Sequence, residues 1–311
     1  MKRLQNRIAE SKNTLPAALV YGLGVWLFGG LVTDQLWLQF GLFVVTALLL
    51  VYLNNSIALL RVRSRMVSCT FIALTCCASQ LFPSLSGGLS ALCLTVALIF
   101  MFHSYHDFQV SGRTYFSFLF IGLISVTFIK VLWLVPLIWI LMGTNMITLN
   151  VRTIIASLMG IITPYWFVLP WCLLRHDFSW LSSHLSQFVT FTPAFDLSGI
   201  PIGIVALFLF ILIATSLGIN HILYRGFEDK TRIRLTFGFL SILSVACMLF
   251  LIVQPQYYEE MMPIIIVLTC PVIGHYITLT STRITNILFF IITALAVAIT
   301  IFNLWMPSYS F

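Results

Sequence analysis

Long apolar runs separated by short polar stretches follow one another along almost the whole chain. Most runs approach the roughly 20 residues that an α-helix needs to cross a bilayer. Proline, glycine, asparagine and charged residues mark the boundaries between them. We therefore predict helical spans within 15–33, 36–54, 66–82, 89–103, 114–146, 153–174, 200–221, 235–253, 263–280 and 284–303.

The segment 114–146 is too long for one ordinary span and short for two. If it forms two short helices that turn near Lys130, only Lys130 and Arg175 of the 16 Lys and Arg residues lie outside the cytoplasm. If it forms one long helix, Arg152 and the basic cluster 225–234 move outside, against the positive-inside rule. We predict the pair, in the form of two spans or a re-entrant hairpin. The fold is then an all-α transmembrane bundle of about eleven spans, within a range of about nine to eleven, with a cytoplasmic N-terminus and an extracytoplasmic C-terminus.

Composition supports a membrane protein. The chain is 60% hydrophobic and 8% charged, whereas soluble domains carry about 25% charged residues. We predict one integral-membrane domain, 1–311, with the lipid bilayer as its main partner. The net charge of +7 comes from short basic clusters beside apolar runs. This pattern fits membrane topology and anionic headgroups, and we expect no nucleic-acid partner.

The cysteines and histidines indicate no cofactor or metal. All 7 cysteines lie in apolar runs and lack the spacing of a zinc site or a disulfide framework. His103, His106 and Asp107 have a ligand-compatible helical spacing. A polar interfacial loop has the same composition, so we predict no metal site and no cofactor.

Residues 175–199 are predicted to form an extracytoplasmic loop with an interfacial helix. Phe178, Leu181, Leu185 and Phe188 share one helical face, with serines elsewhere. Such a helix lies in the membrane surface with its apolar face toward lipid.

The predicted topology places several acidic and basic residues on the outer side. The candidate catalytic residues are Asp34, Asp177 and Glu259, because a carboxylate there could act as a general base or bind a divalent metal. The candidate binding residues are Lys130, Arg175 and His176, since a cation can hold a lipid phosphate. Ordinary polar residues of the outer loops would be distributed in the same way. No motif spacing links the six candidates to one another.

Four stretches resemble an uncharacterised family of polytopic inner-membrane proteins from Bacteroidetes. They are Y-L-N-N at Tyr52–Asn55, L-M-G-I-I-T-P-Y at Leu158–Tyr165, D-K-x-R-x-R at Asp229–Arg234, and the run at Met262–Tyr276. The resemblance implies a Gram-negative inner membrane and carries over no reaction or catalytic residue.

Three functions follow as hypotheses. The first is a non-enzymatic accessory factor in envelope or surface-glycan biogenesis, with a lipid-linked glycan or other envelope-assembly membrane proteins as partners. The second is a polyprenyl-phosphate-dependent glycosyltransferase or polymerase that acts at the periplasmic face. The third is a small-solute or lipid transporter, although no membrane-depth acid or internal repeat supports it.

Overall fold

The computed structural model describes residues 3–107, 110–175, 178–191 and 193–305. Within these residues the protein is helical and contains no β-strand. The α-helices are α1 (Leu4–Glu10), α2 (Thr14–Phe28), α3 (Trp37–Ile57), α4 (Met66–Cys77), α5 (Leu85–His103), α6 (Ser111–Thr127), α7 (Val135–Leu141), α8 (Val151–Arg175), α9 (Ser179–Ser186), α10 (Ile202–Arg225), α11 (Thr231–Val253), α12 (Tyr258–Leu279) and α13 (Arg283–Trp305).

Eight helical stretches in the described part of the chain are long and apolar enough to cross a membrane. They are Trp37–Ile57, Leu85–His103, Ile129–Met146, Val151–Leu174, Ile202–Glu228, Thr231–Val253, Pro255–Leu279 and Arg283–Trp305. Helices α2 and α4 are apolar but shorter. The architecture is therefore a membrane-type helix bundle, as the hydrophobic pattern predicts.

The helix ends gather on two sides of the bundle. Asp34 and Glu259 line a cleft on one side, which we call the Asp34 end. Arg61 and Thr280 line a cavity on the other, which we call the Asp229 end after the buried carboxylate beside it. Helix α12 connects the two ends, and its 22 residues span about 33 Å at 1.5 Å per residue.

The ambiguous segment 114–146 folds back on itself. Helix α6 starts at the Asp229 end, where Arg113 donates a hydrogen bond to the His103 carbonyl at 2.8 Å. The chain turns at Phe128–Lys130 and continues through a 3-10 turn, α7 and a π turn. It returns to the same end, where the His106 N–H donates to the Met146 carbonyl at 3.0 Å. Two helical stretches that turn back near Lys130 are confirmed, and the number of membrane crossings that they make stays a prediction.

Helix α12 forms the centre of the bundle. Its residues from Met261 to Thr278 are buried apart from Pro263, which is partly buried, and α1, α4, α5, α10 and α11 pack around it. Helix α12 is therefore shielded on all sides by other helices of the bundle. In contrast, α8 and α13 are mostly exposed within the chain and present apolar side chains on the outside of the bundle.

Two glycines bring α6 and α8 into direct backbone contact. A Cβ atom on Gly160 would lie 2.6 Å from the Tyr115 carbonyl oxygen, and one on Gly122 would lie 2.8 Å from the Ile161 carbonyl oxygen. Small residues at such crossings let transmembrane helices approach closely, because lipid supplies little hydrophobic drive for their association. The α6–α8 pair depends on this close fit.

Helix α1 lies before the first span predicted from the sequence, which begins at Leu15. Gln5 in α1 is fully buried, and its Nε2 donates to the Ile277 carbonyl at 2.6 Å and to Thr280 Oγ1 at 2.8 Å. Asn286 Oδ1 accepts a hydrogen bond from the Gln5 N–H at 3.1 Å. These contacts fix α1 against the ends of α12 and α13.

The predicted interfacial helix corresponds to α9. Phe178 and Leu185, on the predicted apolar face, are exposed. His184 faces inward, stacks on Trp180 and contacts the Ser125 carbonyl oxygen at 2.9 Å through Nε2. The helix therefore lies against the end of α6 with apolar side chains directed outward.

Candidate functional site

A tight turn between α2 and α3 positions Asp34. Gly30 adopts φ +98°, a left-handed conformation that suits glycine, and the Asp34 N–H donates to the Gly30 carbonyl at 2.9 Å. A Cβ atom on Gly30 would collide with Oδ2 of Asp34. Glycine at this position therefore allows the carboxylate to fold back over the turn while staying exposed.

Glu259 reaches the same place from the start of α12. It follows the 3-10 turn Pro255–Tyr257, and its exposed carboxylate accepts a long 3.4 Å hydrogen bond from the Tyr258 hydroxyl. Asp34 and Glu259 line one cleft of about 470 Å³. The polar residues of this cleft are Thr33, Asp34, Ser79, Gln80, Tyr258, Glu259 and Asn303.

Amide side chains form the deeper part of the cleft. Asn303 Nδ2 donates to the Cys77 carbonyl at 2.6 Å and is 3.4 Å from the Gly203 carbonyl, which ties α13 to α4 and α10. Gln80 Nε2 is 3.5 Å from Asn303 Oδ1. Gln80 Oε1 and Ser79 Oγ are buried and have no hydrogen-bond partner among the described residues. Because buried polar atoms normally have partners, these two oxygens are suited to a donor from a ligand or from water.

Lys130, a predicted binding residue, is buried outside this cleft and only 3% exposed. Its ammonium donates to the Thr190 carbonyl at 2.6 Å and to the Tyr257 hydroxyl at 2.5 Å, and it lies over the rings of Tyr257 and Phe191. A buried ammonium needs such partners. Lys130 thus fastens the chain around Thr190 to the bundle.

Three other predicted candidates, Arg175, His176 and Asp177, are consecutive in the sequence. His176 and Asp177 lie outside the described residues, and of Arg175 only the backbone is described. Their predicted roles stay predictions. The structure brings together Asp34 and Glu259 from the predicted set, and adds Gln80, Tyr258 and Asn303.

No protein-family model, curated protein or solved structure matches this chain. The resemblance to the Bacteroidetes membrane family stays a prediction, and the site must be interpreted from its own chemistry.

Asp196 lies in the loop before α10, at the same end of the bundle. Its Oδ1 accepts a 3.0 Å hydrogen bond from the Ser198 N–H, and hydrogen bonding with Ser198 lowers the pKa of the carboxyl below its usual value. Gln256 donates to the carbonyls of Asp196 and Ser198 and holds the loop near α12. Asp196 organises this loop and does not line the cleft.

A second polar cluster lies at the Asp229 end. Asp229 Oδ2 is 3.0 Å from His275 Nε2, and its Oδ1 is 2.8 Å from Arg61 Nε. The side chains of Asp229 and His275 are 2% and 1% exposed. In the sequence, Asp229 lies within the basic cluster 225–234 and His275 lies within the apolar run 263–280. The pairing was missed because 46 residues separate the two and no motif spacing links them.

The cysteines and the His103 cluster were the residues considered in the sequence as possible metal or disulfide ligands. All seven cysteines are buried and free. His103 stacks on Tyr52, and its Nδ1 contacts the Ile99 carbonyl at 2.7 Å. Within the described residues, no group of three or more His, Cys, Asp or Glu side chains is arranged to hold a metal ion.

Proposed function

We propose that this chain is a multi-pass protein of a bacterial inner membrane with about eleven crossings, the Asp229 end in the cytoplasm and the Asp34 end outside. The distribution of basic residues supports this orientation. Arg61, Arg113 and Arg225 lie at the Asp229 end. At the Asp34 end, the described basic side chain Lys130 is buried and hydrogen-bonded within the bundle.

We propose further that the protein is a non-enzymatic component of envelope or surface-glycan biogenesis that binds a glycan segment in the Asp34 cleft. The observation that carries this proposal is the convergence of Asp34, Gln80, Tyr258, Glu259 and Asn303 on one cavity of about 470 Å³. Carboxylates accept hydrogen bonds, and amides both donate and accept them, as a hydroxyl-rich ligand requires. The Tyr258 ring adds an apolar surface with a polar tip.

The charge of the cleft favours binding over lipid-phosphate transfer. Its described lining contains two carboxylates and no Lys, Arg or His side chain. A polyprenyl-phosphate donor carries negative charge, which these carboxylates would repel unless a cation lay between them. The glycosyltransferase alternative would use Asp34 or Glu259 as a general base, and we keep it as an outcome of the test below.

The test is the paired variant, Asp34→Asn with Glu259→Gln. It replaces the chromosomal copy in the native strain, so that the variant is the only form of the protein present. Each lost charge-assisted hydrogen bond weakens binding by about 1.5 kcal/mol, so the pair should lower affinity for the strain's own surface-glycan fragments about a hundredfold. The amount of surface polysaccharide should fall in the strain with the paired variant, although the variant is present at the same level as the wild-type protein. Asp196→Asn is the matched control, because it removes an acid at the same end outside the cleft.

Normal surface polysaccharide in the paired variant would refute the proposal. If the purified wild-type protein extends a glycan from a polyprenyl-phosphate sugar, and the paired variant does not, the enzyme alternative replaces it.

A further inference from the structure

A polar cavity of about 270 Å³ lies at the Asp229 end, opposite the Asp34 cleft. Two arginines line it, Arg61 from the segment after α3 and Arg225 from the end of α10. The start of α13 and the turn before it contribute the hydroxyl groups of Thr280, Ser281, Thr282 and Thr285. Guanidinium and hydroxyl groups are the donors with which proteins bind phosphate oxygens.

Glu228 holds both arginines in place. Its Oε2 lies 2.9 Å from Arg61 Nη1, and its Oε1 lies 3.2 Å from Arg225 Nη1. The three side chains are partly exposed, at 33% for Arg61, 62% for Arg225 and 36% for Glu228. The Glu228 carboxylate lies between the two guanidinium groups, in the position that a bound anionic ligand would take. Because this pair of contacts is exposed to solvent, it is weak and an incoming anion can displace it.

An apolar cavity of about 340 Å³ is lined by residues of α1, α2 and α4 together with residues of α10, α12 and α13. Ala214 on α10, Ile277 on α12 and Phe289 on α13 line it. On α13, Phe289 is one turn beyond Thr285 of the polar cavity, about 6 Å along the helix axis. Thr293 and Val297 on the same lining are exposed, so this cavity reaches the lipid-facing surface.

Together the two cavities match an amphiphile. The polar cavity presents cations and hydroxyls at the predicted cytoplasmic boundary, and the lining of the apolar cavity begins about one turn further along α13, toward the membrane interior. A free phosphate ion would use only the first of them, whereas a fatty chain without a charge would use only the second.

We propose that α10, α12 and α13, together with α2 and α4, form a binding site for one phosphate-bearing lipid. Arg61 and Arg225 hold the phosphate, and the apolar cavity holds part of a hydrocarbon chain. Glu228 occupies the arginines in the empty site and moves aside when the phosphate enters. This site is separate from the Asp34 cleft, and its existence does not depend on glycan binding there.

Binding to the delipidated, full-length protein in detergent tests the site with three probes. They are dioleoyl phosphatidic acid, dioleoylglycerol and inorganic phosphate, measured by native mass spectrometry and by titration. Phosphatidic acid should bind at least about tenfold more tightly than either of the others, since only it engages both cavities. Equal affinity for dioleoylglycerol, or for inorganic phosphate, would overturn the assignment to a lipid phosphate.

Two variants of the polar cavity have opposite expected effects on lipid binding. They distinguish a binding role of the two side chains from a purely structural one. Arg225→Gln should weaken phosphatidic acid binding about tenfold, because one charge-assisted hydrogen bond is lost. Glu228→Gln should tighten it several-fold, because the competing carboxylate is removed. Arg63→Gln is the matched control, since Arg63 is exposed two residues from Arg61 and does not line the cavity. Unchanged binding in Arg225→Gln, or weaker binding in Glu228→Gln, would contradict the proposal.

A substitution on α13 tests the apolar side without altering the bundle interior. Thr293→Phe places an aromatic ring at the exposed edge of the apolar cavity and should reduce phosphatidic acid binding. Ile291→Phe, on an exposed α13 position outside the cavity, should leave it unchanged. Equal binding in both variants would show that the hydrocarbon chain lies elsewhere.

Discussion

Asp229 is a buried charged residue whose burial depends on its partners. Its carboxylate lies between Arg61 and His275 and is nearly inaccessible to solvent. Removing a charge from water costs several kcal/mol, and a partner compensates only at close range and in good geometry. The contact with His275 at 3.0 Å has hydrogen-bond geometry, whereas the contact with Arg61 at 2.8 Å is an ion pair without it, so the two supply part of this compensation and fasten the loop before α11 to α12.

Asp229→Ala is therefore expected to destabilise the protein by about 3–5 kcal/mol, because the Arg61 and His275 side chains lose their buried partner. Glu228→Ala is the control, since its carboxylate is partly exposed and such pairs contribute about 1 kcal/mol or less. Thermal unfolding in detergent compares the two variants. Equal melting temperatures would show that the Asp229 pairing contributes nothing beyond a surface contact.

Some features of the site were predictable from the sequence, and others were not. Asp34 and Glu259 were identified because the charge distribution assigned them to one side of the membrane. Their common cleft with Gln80 and Asn303 was not predictable, since it depends on how four separate helix ends meet. Lys130 was predicted to bind a ligand, but its position over Tyr257 depends on tertiary packing that no spacing reveals.

At the scale of the helices, the α6–α8 contact is the closest backbone approach among the described glycine positions. Gly160→Leu is expected to destabilise the protein by about 1–3 kcal/mol or more, because the side chain must push α8 away from α6. Gly41→Leu in α3 is the control, since a Cβ atom there meets nothing within 4 Å. Melting temperature and the yield of monodisperse protein report the difference. A Gly160→Leu protein as stable as the control would show that the helices are not in backbone contact.

The boundaries of the helices were largely predictable, and charge resolved the one ambiguous segment. Hydrophobic runs predicted α3, α5 and α10–α13 because lipid imposes a minimum apolar length. Helix α1 was not predicted because the residue that stabilises it, Gln5, is polar. Gln5 forms hydrogen bonds with groups that are more than 270 positions away in the sequence. An amphipathic pattern does predict α9, yet the inward position of His184 depends on the end of α6.

For the whole molecule, the proposed orientation makes a labelling prediction. All seven native cysteines are buried, so single exposed cysteines can be added to the native background with little competing reaction. Ser198→Cys, near the Asp34 end, should react with a membrane-impermeant maleimide in intact spheroplasts. Lys12→Cys, before α2, should react only after the membrane is permeabilised. The reverse pattern would invert the topology and place the Asp34 cleft in the cytoplasm.

Helix α12 also has a consequence for the order in which the protein is made. It is the centre of the bundle, yet it is synthesised after α1 to α11. Until then, groups that later bond to α12 lack this partner, including the Thr70 hydroxyl that contacts the Cys270 carbonyl at 2.9 Å. The earlier helices are therefore expected to associate only loosely until α12 is inserted and packs among them. Biogenesis of this protein is expected to be completed in a single concerted closure near the end of translation.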